Sequence, residues 1–230
     1  MVRFQRRETK KAQAAVQSLS REKQKKSGTY NTPEVNEALQ EMFYKKCYLC
    51  ECRNVTSYVV EHLVSAGGNR RLRFDWNNLF LACAHCNGTK RREHEPILDC
   101  TQVDVDRRIR FYREGHWGTD ERFCFAACDN RVETIHTVML LEEIYYGKTP
   151  QKKLESANLR GNLRKELAKF KGYVRDYRDT YGEERQDLYL LIKRELSAQS
   201  PFAAFKRWLI RDNEGYYQEL AALCGSCPGE

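Results

Sequence analysis

Apolar residues recur every three or four positions along much of the chain, which is the spacing of amphipathic helices. The longest run comprises Leu159, Leu163, Leu167, Phe170, Val174, Tyr177 and Tyr181. Two shorter runs follow, at Leu188, Leu191 and Ile192 and at Phe202, Phe205, Trp208 and Leu209. Such large apolar side chains belong in a core. Residues 96–230 are therefore predicted to form a mainly helical domain.

The N-terminal part of the chain is predicted to be an arm followed by a helix. Residues 1–28 are polar and carry nine Lys or Arg against two Glu. This composition predicts a flexible basic arm, helical around residues 12–19 when it binds a partner. Thr32 has the position of an N-cap and Pro33 that of the first helical residue, so a helix is predicted to run to about Lys46.

After this helix the pattern changes to short apolar runs. Residues 57–64 are rich in β-branched and aromatic side chains and predict a strand. A loop separates them from a second apolar run at residues 79–82, and a short helix is predicted to begin near Cys86 or Asn87. The predicted fold class is therefore α+β, with a small ββα domain at residues 29–95 joined to the helical domain.

Composition narrows the classes of protein to consider. The mean hydropathy is −0.76, and no stretch approaches the roughly 18 uncharged residues that a membrane span needs. The first thirty residues contain no apolar signal core. We therefore expect a cytoplasmic protein. Its net charge of +8 is concentrated in residues 1–28, with net +7, and residues 45–92, with net +6. Two such blocks predict binding of a polyanion.

Ten cysteines are many for a chain expected in a reducing compartment, and they favour metal ligands over disulfides. Two C-x-x-C pairs, Cys47 with Cys50 and Cys83 with Cys86, are separated by 32 residues. Together they supply the four thiolates that structural zinc prefers. Cys52 and His85 are alternative ligands, and buried free thiols are the alternative interpretation. Cys124, Cys128, Cys224 and Cys227 leave a second zinc site open.

Between the two cysteine pairs lie an acid and a histidine, and directly after the second pair lies an amide, a combination that suits phosphodiester chemistry. Glu61 and the Asn87 amide offer oxygen ligands of the kind that a hard divalent cation accepts. The adjacent His62 can take a proton from water. Neighbouring residues of a strand point to opposite faces unless the strand ends there. Each residue alone has an ordinary structural interpretation, and the combination favours a catalytic site.

This combination resembles the HNH nucleases, which have a ββα-metal fold. The resemblance covers residues 45–92: two C-x-x-C pairs, an acid followed by His62, Asn78, and Asn87 with Lys90 after the second pair. It implies His62 as the general base and Glu61 and Asn87 as ligands of a catalytic Mg²⁺ or Mn²⁺. It also implies that Asn78 braces the loop that orients His62, and that Cys47, Cys50, Cys83 and Cys86 bind a structural Zn²⁺.

Two departures from the family pattern concern the catalytic cation. Glu61 stands where Asp is commoner, and Asn87 stands where a third histidine is often found, which favours magnesium or manganese over a softer ion. Six basic residues are predicted to contact phosphates without reading sequence: Arg70, Arg71, Arg73, Lys90, Arg91 and Arg92. A solvated basic loop is the alternative interpretation.

The layout of the whole chain is similar to that of PtuB-type HNH proteins of antiphage defence systems of the Septu and retron kind. That similarity implies an ABC-type ATPase partner, docked on the helical region or the basic arm, and a nucleic-acid substrate with DNA favoured over RNA. A stand-alone restriction or homing nuclease is the alternative within the enzyme class. A zinc-stabilised adaptor that binds nucleic acid or protein without cutting is the alternative outside it.

Overall fold

The computed structural model describes residues 1–53, 55–116 and 120–224, and combines helices with two small sheets, in agreement with the α+β prediction. The helices are α1 (Lys10–Gln24), α2 (Pro33–Met42), α3 (Arg70–Arg73), α4 (Ala84–Asn87), α5 (Val105–Arg108), α6 (Val132–Tyr145), α7 (Pro150–Asp179), α8 (Gly182–Glu195), α9 (Ala203–Arg211) and α10 (Gln218–Ala221). The strands are β1 (Tyr58–His62), β2 (Leu79–Cys83), β3 (Ile109–Glu114) and β4 (Arg122–Ala127). Short 3₁₀ turns lie at Trp76–Asn78, Arg92–His94, Glu214–Tyr216 and Ala222–Cys224.

The first antiparallel hairpin, β1 with β2, is the one that the apolar runs predicted. Its register places Tyr58 opposite Cys83 and Glu61 opposite Phe80. Helix α4 follows β2 immediately, so the ββα order is present, although α4 is a single turn. The pairing therefore brings the second cysteine pair beside the residues that precede β1.

A second antiparallel hairpin, β3 with β4, lies in the region predicted to be helical. Phe111 faces Phe125 across it, and the two rings meet edge to face with centroids 5.4 Å apart. Strand β3 buries Ile109 and Phe111 but not Arg110 between them, which is the period of a half-buried strand, whereas β4 buries the three consecutive residues Phe123, Cys124 and Phe125. The surrounding helical pattern obscured this shorter signal.

The N-terminal segment is folded into the core and does not form the predicted flexible arm. Met1, Val2 and Phe4 are buried, and the Phe4 N–H donates to the Cys100 carbonyl at 2.8 Å. Helix α1 packs against α2 and extends well beyond the predicted residues 12–19. A few apolar residues among many charges are enough to anchor the segment, because burial of each is favourable.

Local signals in the chain determine where helix α2 begins and ends. The Thr32 hydroxyl accepts from the Val35 N–H at 3.4 Å, as the predicted N-cap requires. Helix α2 ends at Met42, before the predicted Lys46, because Tyr44 and Lys45 adopt left-handed backbone with φ of 53°.

The hydrophobic core continues across the predicted domain boundary at residue 95. One cluster of buried residues joins Leu39, Cys50 and Phe80 to Leu163 and Phe205, which come from both sides of that boundary. A smaller cluster lies between α7, α8 and α10. The ββα unit therefore packs directly on the helical region. None of the helices in the described ranges combines the length and the apolar character needed to cross a membrane.

Candidate metal centre and catalytic site

Four buried cysteines form a compact group. The sulfurs of Cys47, Cys50, Cys83 and Cys86 all lie within 4.8 Å of one another, and the Cys50 and Cys83 sulfurs are 4.0 Å apart. Tetrahedral zinc with Zn–S bonds of about 2.3 Å would place its sulfurs about 3.8 Å apart. The residues therefore fit a bound metal such as zinc.

Backbone hydrogen bonds bring the two cysteine pairs together. The Tyr48 N–H donates to the Leu81 carbonyl at 2.9 Å, which fastens the first pair to β2. The Glu51 N–H donates to the Cys47 carbonyl at 2.9 Å, and the positive φ of Glu51 closes this turn. Burial raises the pKa of the Cys50 thiol, and the charge of a bound dication would favour its thiolate.

The alternative ligands considered for this metal lie outside the group. The Cys52 sulfur accepts from the Asn162 amide at 3.7 Å. The His85 ring contacts the Glu155 carboxylate at 2.7 Å through Nδ1 and the Ile144 carbonyl at 2.8 Å through Nε2. Both ring nitrogens are thus engaged by α7 and α6, which leaves the cluster with sulfur ligands alone.

His62 ends strand β1 in a defined orientation. Its Nε2 atom lies 3.0 Å from the Arg73 carbonyl, and a carbonyl oxygen can only accept a hydrogen bond. In the neutral ring, Nε2 therefore carries the proton and Nδ1 keeps a free lone pair. The Tyr30 ring meets the imidazole edge to face with centroids 4.4 Å apart. Burial lowers the pKa of His62, which favours the neutral base.

The imidazole lines a cavity of about 330 Å³ together with two basic residues. Arg70 and Arg73 contribute to the same cavity wall, and Tyr30 and Gly68 complete it. A neutral base is thus placed beside positive charge, which is the combination that an attack of water on a phosphate group requires.

Asn78 connects the two ends of the loop that follows β1. Its side-chain oxygen accepts from the Val64 N–H at 2.8 Å. Its amide donates to the Val64 carbonyl at 2.9 Å and to the Leu72 carbonyl at 3.1 Å. Since Leu72 precedes the residue whose carbonyl holds His62, these bonds link the amide to the orientation of the imidazole.

Replacing Asn78 by alanine should destabilise the protein by about 2–3 kcal/mol, because buried backbone groups lose their partners. The free energy of unfolding in urea measures this loss. The neighbouring Asn77→Ala is the matched control, since the Asn77 side chain is exposed. Equal stabilities of the two variants would show that Asn78 does not brace the loop.

Glu61 is buried, whereas the adjacent His62 is partly exposed. Its carboxylate lies 2.8 Å from the Lys90 ammonium and accepts a short hydrogen bond from the Tyr48 hydroxyl. Burial raises the pKa of Glu61 even with Lys90 beside it. Asn87 is the last residue of α4, and it is exposed. Carboxylate and amide oxygens suit Mg²⁺ or Mn²⁺, and the lysine contact shows that Glu61 here balances a positive charge.

Lys90 does not lie on the surface predicted to contact phosphates. Its side chain is only 4% exposed, and its ammonium also donates to the His62 carbonyl at 3.0 Å and contacts Glu95 at 3.3 Å. Its position in the sequence had predicted that Lys90 lies on the surface and contacts phosphates. The buried carboxylate of Glu61 instead retains the ammonium inside, because an unpaired buried charge is costly.

The Lys90→Met variant should lose about 3 kcal/mol of stability, because it leaves the Glu61 carboxylate buried without its cation. Thermal unfolding of Lys90→Met and of the double variant Glu61→Gln/Lys90→Met measures this, and the double variant should recover most of the loss. Added Mg²⁺ or Mn²⁺ should stabilise Lys90→Met more than wild type if Glu61 binds a dication. A single variant as stable as wild type would contradict the buried pair.

The other basic residues predicted to contact phosphates divide into two groups. Arg70 donates to the Lys23 and Lys25 carbonyls at the end of α1, and Arg73 donates to the Gly28 carbonyl at 3.3 Å. In the second group, farther along the chain, Arg91 contacts the Glu143 carboxylate at 2.9 Å and Arg92 lies beside Gly67. Arg71, which lies between Arg70 and Arg73 in sequence, is exposed. Four of the five guanidinium groups therefore already have protein contacts.

A second group of potential metal ligands consists of Glu93, His94 and Glu143. The Arg91 N–H donates to His94 Nδ1 at 3.1 Å, so the neutral ring carries its proton on Nε2, toward Glu143 at 3.6 Å. This arrangement is a cluster of ion pairs with Arg91 and does not offer an imidazole lone pair.

The second zinc site that the sequence left open has no cluster of ligands in the described part of the chain. Cys124 lies on β4, whereas Cys224 lies in the smaller core cluster. Cys128 is exposed and, with these two, is absent from the groups of close metal ligands. Cys227 lies outside the described residues.

Two residues of the site were missed by sequence reasoning. Tyr30 precedes the α2 cap and Tyr48 lies inside the first cysteine pair, yet they contact His62 and Glu61 respectively. No local pattern marks either contact, because each joins positions more than ten residues apart.

Comparison with known proteins gives one relevant similarity. No protein-family model and no solved structure matches the chain. Over 124 residues the chain is 28% identical to the Septu protein PtuB of Bacillus thuringiensis. The aligned segment covers 51% of this chain and 45% of that protein, so the match spans about half the length of each.

Proposed function

We propose that this chain is an HNH-type, metal-dependent endonuclease that hydrolyses phosphodiester bonds, with DNA favoured over RNA. The observation that carries the proposal is the orientation of His62. Its Nε2 faces the Arg73 carbonyl, which leaves Nδ1 as a base beside Arg70 and Arg73. The neighbouring four-cysteine group fits the zinc that would pin the two strands to α4.

In the proposed mechanism, Nδ1 of His62 takes a proton from the attacking water while the Arg73 carbonyl and Tyr30 hold the ring. Arg70, Arg71 and Arg73 bind phosphates of the substrate, and the first and last of these exchange their carbonyl contacts for phosphate oxygens. A magnesium or manganese ion would supply positive charge at the phosphate and the leaving oxygen, and Glu61, once released from Lys90, would hold it together with Asn87.

The similarity to the Septu protein PtuB extends the proposal to the biological system in which the chain acts. We propose a cytoplasmic nuclease component of a Septu-type antiphage defence system that works beside an ABC-type ATPase. Helices of the region after residue 96, or the folded N-terminal segment, would form the docking surface. The exposed side chains Val132, Ile135 and Met139 lie at helical spacing on α6 and are candidates for that surface.

A cleavage assay tests this proposal. Purified protein is incubated with plasmid DNA and with total RNA, in the presence of Mg²⁺, Mn²⁺ or EDTA, alone and with a co-purified ATPase. Metal-dependent cutting under any of these conditions supports the nuclease and identifies its substrate. Binding of nucleic acid without cutting, even with the ATPase present, would favour the zinc-stabilised adaptor.

A further inference from the structure

A second cavity, formed by described residues away from His62, has a different composition. It has a volume of about 700 Å³ and is bounded by α7, the β3–β4 hairpin and α9. The apolar floor of the cavity is defined as Leu167, Val174 and Leu209, and Tyr217 is a further lining residue. A cavity of this size is within the range that small-molecule ligands occupy.

The walls of this cavity carry an excess of positive charge. Four basic residues, Arg113, Arg164, Lys171 and Arg175, face one carboxylate, that of Glu121. That carboxylate is already engaged by two of them, Arg164 and Arg113, the latter at 3.3 Å. The cavity therefore retains uncompensated charge.

Lys171 is an exposed basic residue of the cavity wall, and Glu121 is the one carboxylate of the lining near it. No hydrogen bond or ion pair joins its ammonium to another side chain in the described part of the protein. Partial burial and the nearby Arg113 both lower the pKa of Lys171. An anion placed between these two cations would relieve both effects. Arg175 is also available, since its recorded partner is its exposed neighbour Asp176 at 3.0 Å.

Gly172 leaves open space beside α7 at this cavity. It lies in the interior of α7, where glycine is less favourable than alanine, and it lines the cavity. A Cβ atom built on Gly172 would meet no protein atom within 4 Å. A larger side chain at this position would therefore occupy space beside the helix at the cavity.

We propose that this cavity binds a nucleoside phosphate, with the phosphate between Arg113, Lys171 and Arg175 and the base over the apolar floor. The floor distinguishes this ligand from a simple inorganic anion, which would leave Leu167 and Leu209 uncovered. The ring of Tyr217 offers a surface on which a base can stack. The same chemical unit is available as a free nucleotide or as one nucleotide of a strand. The proposal does not depend on nuclease activity.

Isothermal titration of the zinc-loaded full chain, without magnesium or manganese, tests this site. The probes are AMP, ATP, adenosine, inorganic phosphate and a trinucleotide. AMP or ATP should bind at least about tenfold more tightly than adenosine or phosphate alone, because both parts of the ligand are recognised. Binding of the trinucleotide with no binding of AMP or ATP would show that the cavity takes one nucleotide of a nucleic-acid strand and not a free nucleotide.

Matched variants along α7 test whether the ligand binds in this cavity. Gly172→Leu should reduce affinity at least about tenfold by filling the space beside the helix, and Lys171→Met should do the same by removing charge. Gly161→Leu and Lys153→Met are the controls. Gly161 is also an α7 glycine with open space around its Cβ, and neither control residue lines the cavity.

Thermal unfolding tests whether the variants are folded. Both leucine variants should be at least as stable as wild type, since leucine favours the helix over glycine. Three results would overturn the proposal: no binding of any nucleotide probe at millimolar concentration, phosphate binding as tightly as AMP, or a folded Gly172→Leu variant with unchanged affinity.

Discussion

Replacing His62 by alanine should abolish cleavage of nucleic acid while leaving the zinc-loaded protein folded. The imidazole is held by the Arg73 carbonyl and the Tyr30 ring, and it is the one described histidine in the cavity that Arg70 and Arg73 line. A general base contributes about 10²–10⁴-fold to a rate. We therefore expect the cleavage rate under metal-saturated conditions to fall by at least about 100-fold.

The matched control for this experiment is His116→Ala, because the His116 side chain is 93% exposed. Its cleavage rate should equal that of wild type. Zinc content and the thermal midpoint of both variants establish that the fold is intact. Cleavage by His62→Ala at the wild-type rate would remove the assigned base, even if the protein remained a nuclease.

Tyr30 provides a finer test of the same arrangement. Its ring lies against the imidazole, so a smaller side chain would give His62 more freedom without removing the base. If Tyr30 only positions the ring, Tyr30→Phe should retain cleavage, since the edge-to-face contact is kept. A large loss in Tyr30→Phe would instead assign a direct role to the hydroxyl.

Replacing Cys83 by serine should cause the largest loss of stability of any single change in the chain. Its sulfur is close to the other three of the group and also accepts from the Cys86 N–H at 3.4 Å. Structural zinc binds with an apparent free energy of about 10–16 kcal/mol. A typical domain has a total stability of about 5–15 kcal/mol. Loss of the metal is therefore comparable to the whole stability of the fold.

Metal analysis and thermal unfolding measure this effect. Wild-type protein should contain one zinc per chain, and Cys83→Ser should lose it and unfold more than about 10 °C lower. Cys128→Ser is the control, since Cys128 is exposed and outside the group. An unchanged midpoint in Cys83→Ser would show that the four thiols lie together without a structural metal.

The metal centre could be predicted from the sequence because its signals are local. Each C-x-x-C pair places two sulfurs within one turn of chain, and the intervening strands pair in the register that brings Cys83 opposite Tyr58. The identity of the fourth ligand could be decided only from the structure. It places the His85 ring against Glu155 and Ile144, and it therefore excludes that ring from the group of sulfurs.

The surroundings of Glu61 and the N-terminal segment could not be predicted in this way. Lys90 and Glu61 are far apart in sequence, and only their common burial shows that the ammonium is retained inside. The basic composition of residues 1–28 resembles that of a disordered arm. Its few apolar residues nevertheless reach the core, with Phe4 and Phe43 rings 4.8 Å apart.

The sequence by itself determined the elements whose signals lie within a few residues: the capped start of α2 at Thr32, the amphipathic face of α7 and the paired cysteines. The tertiary structure alone decided which nitrogen of His62 carries the proton and which charges are buried. Periodicity and capping are properties of neighbouring residues. A proton's position or a buried ion pair, by contrast, depends on groups that only the packed chain brings together.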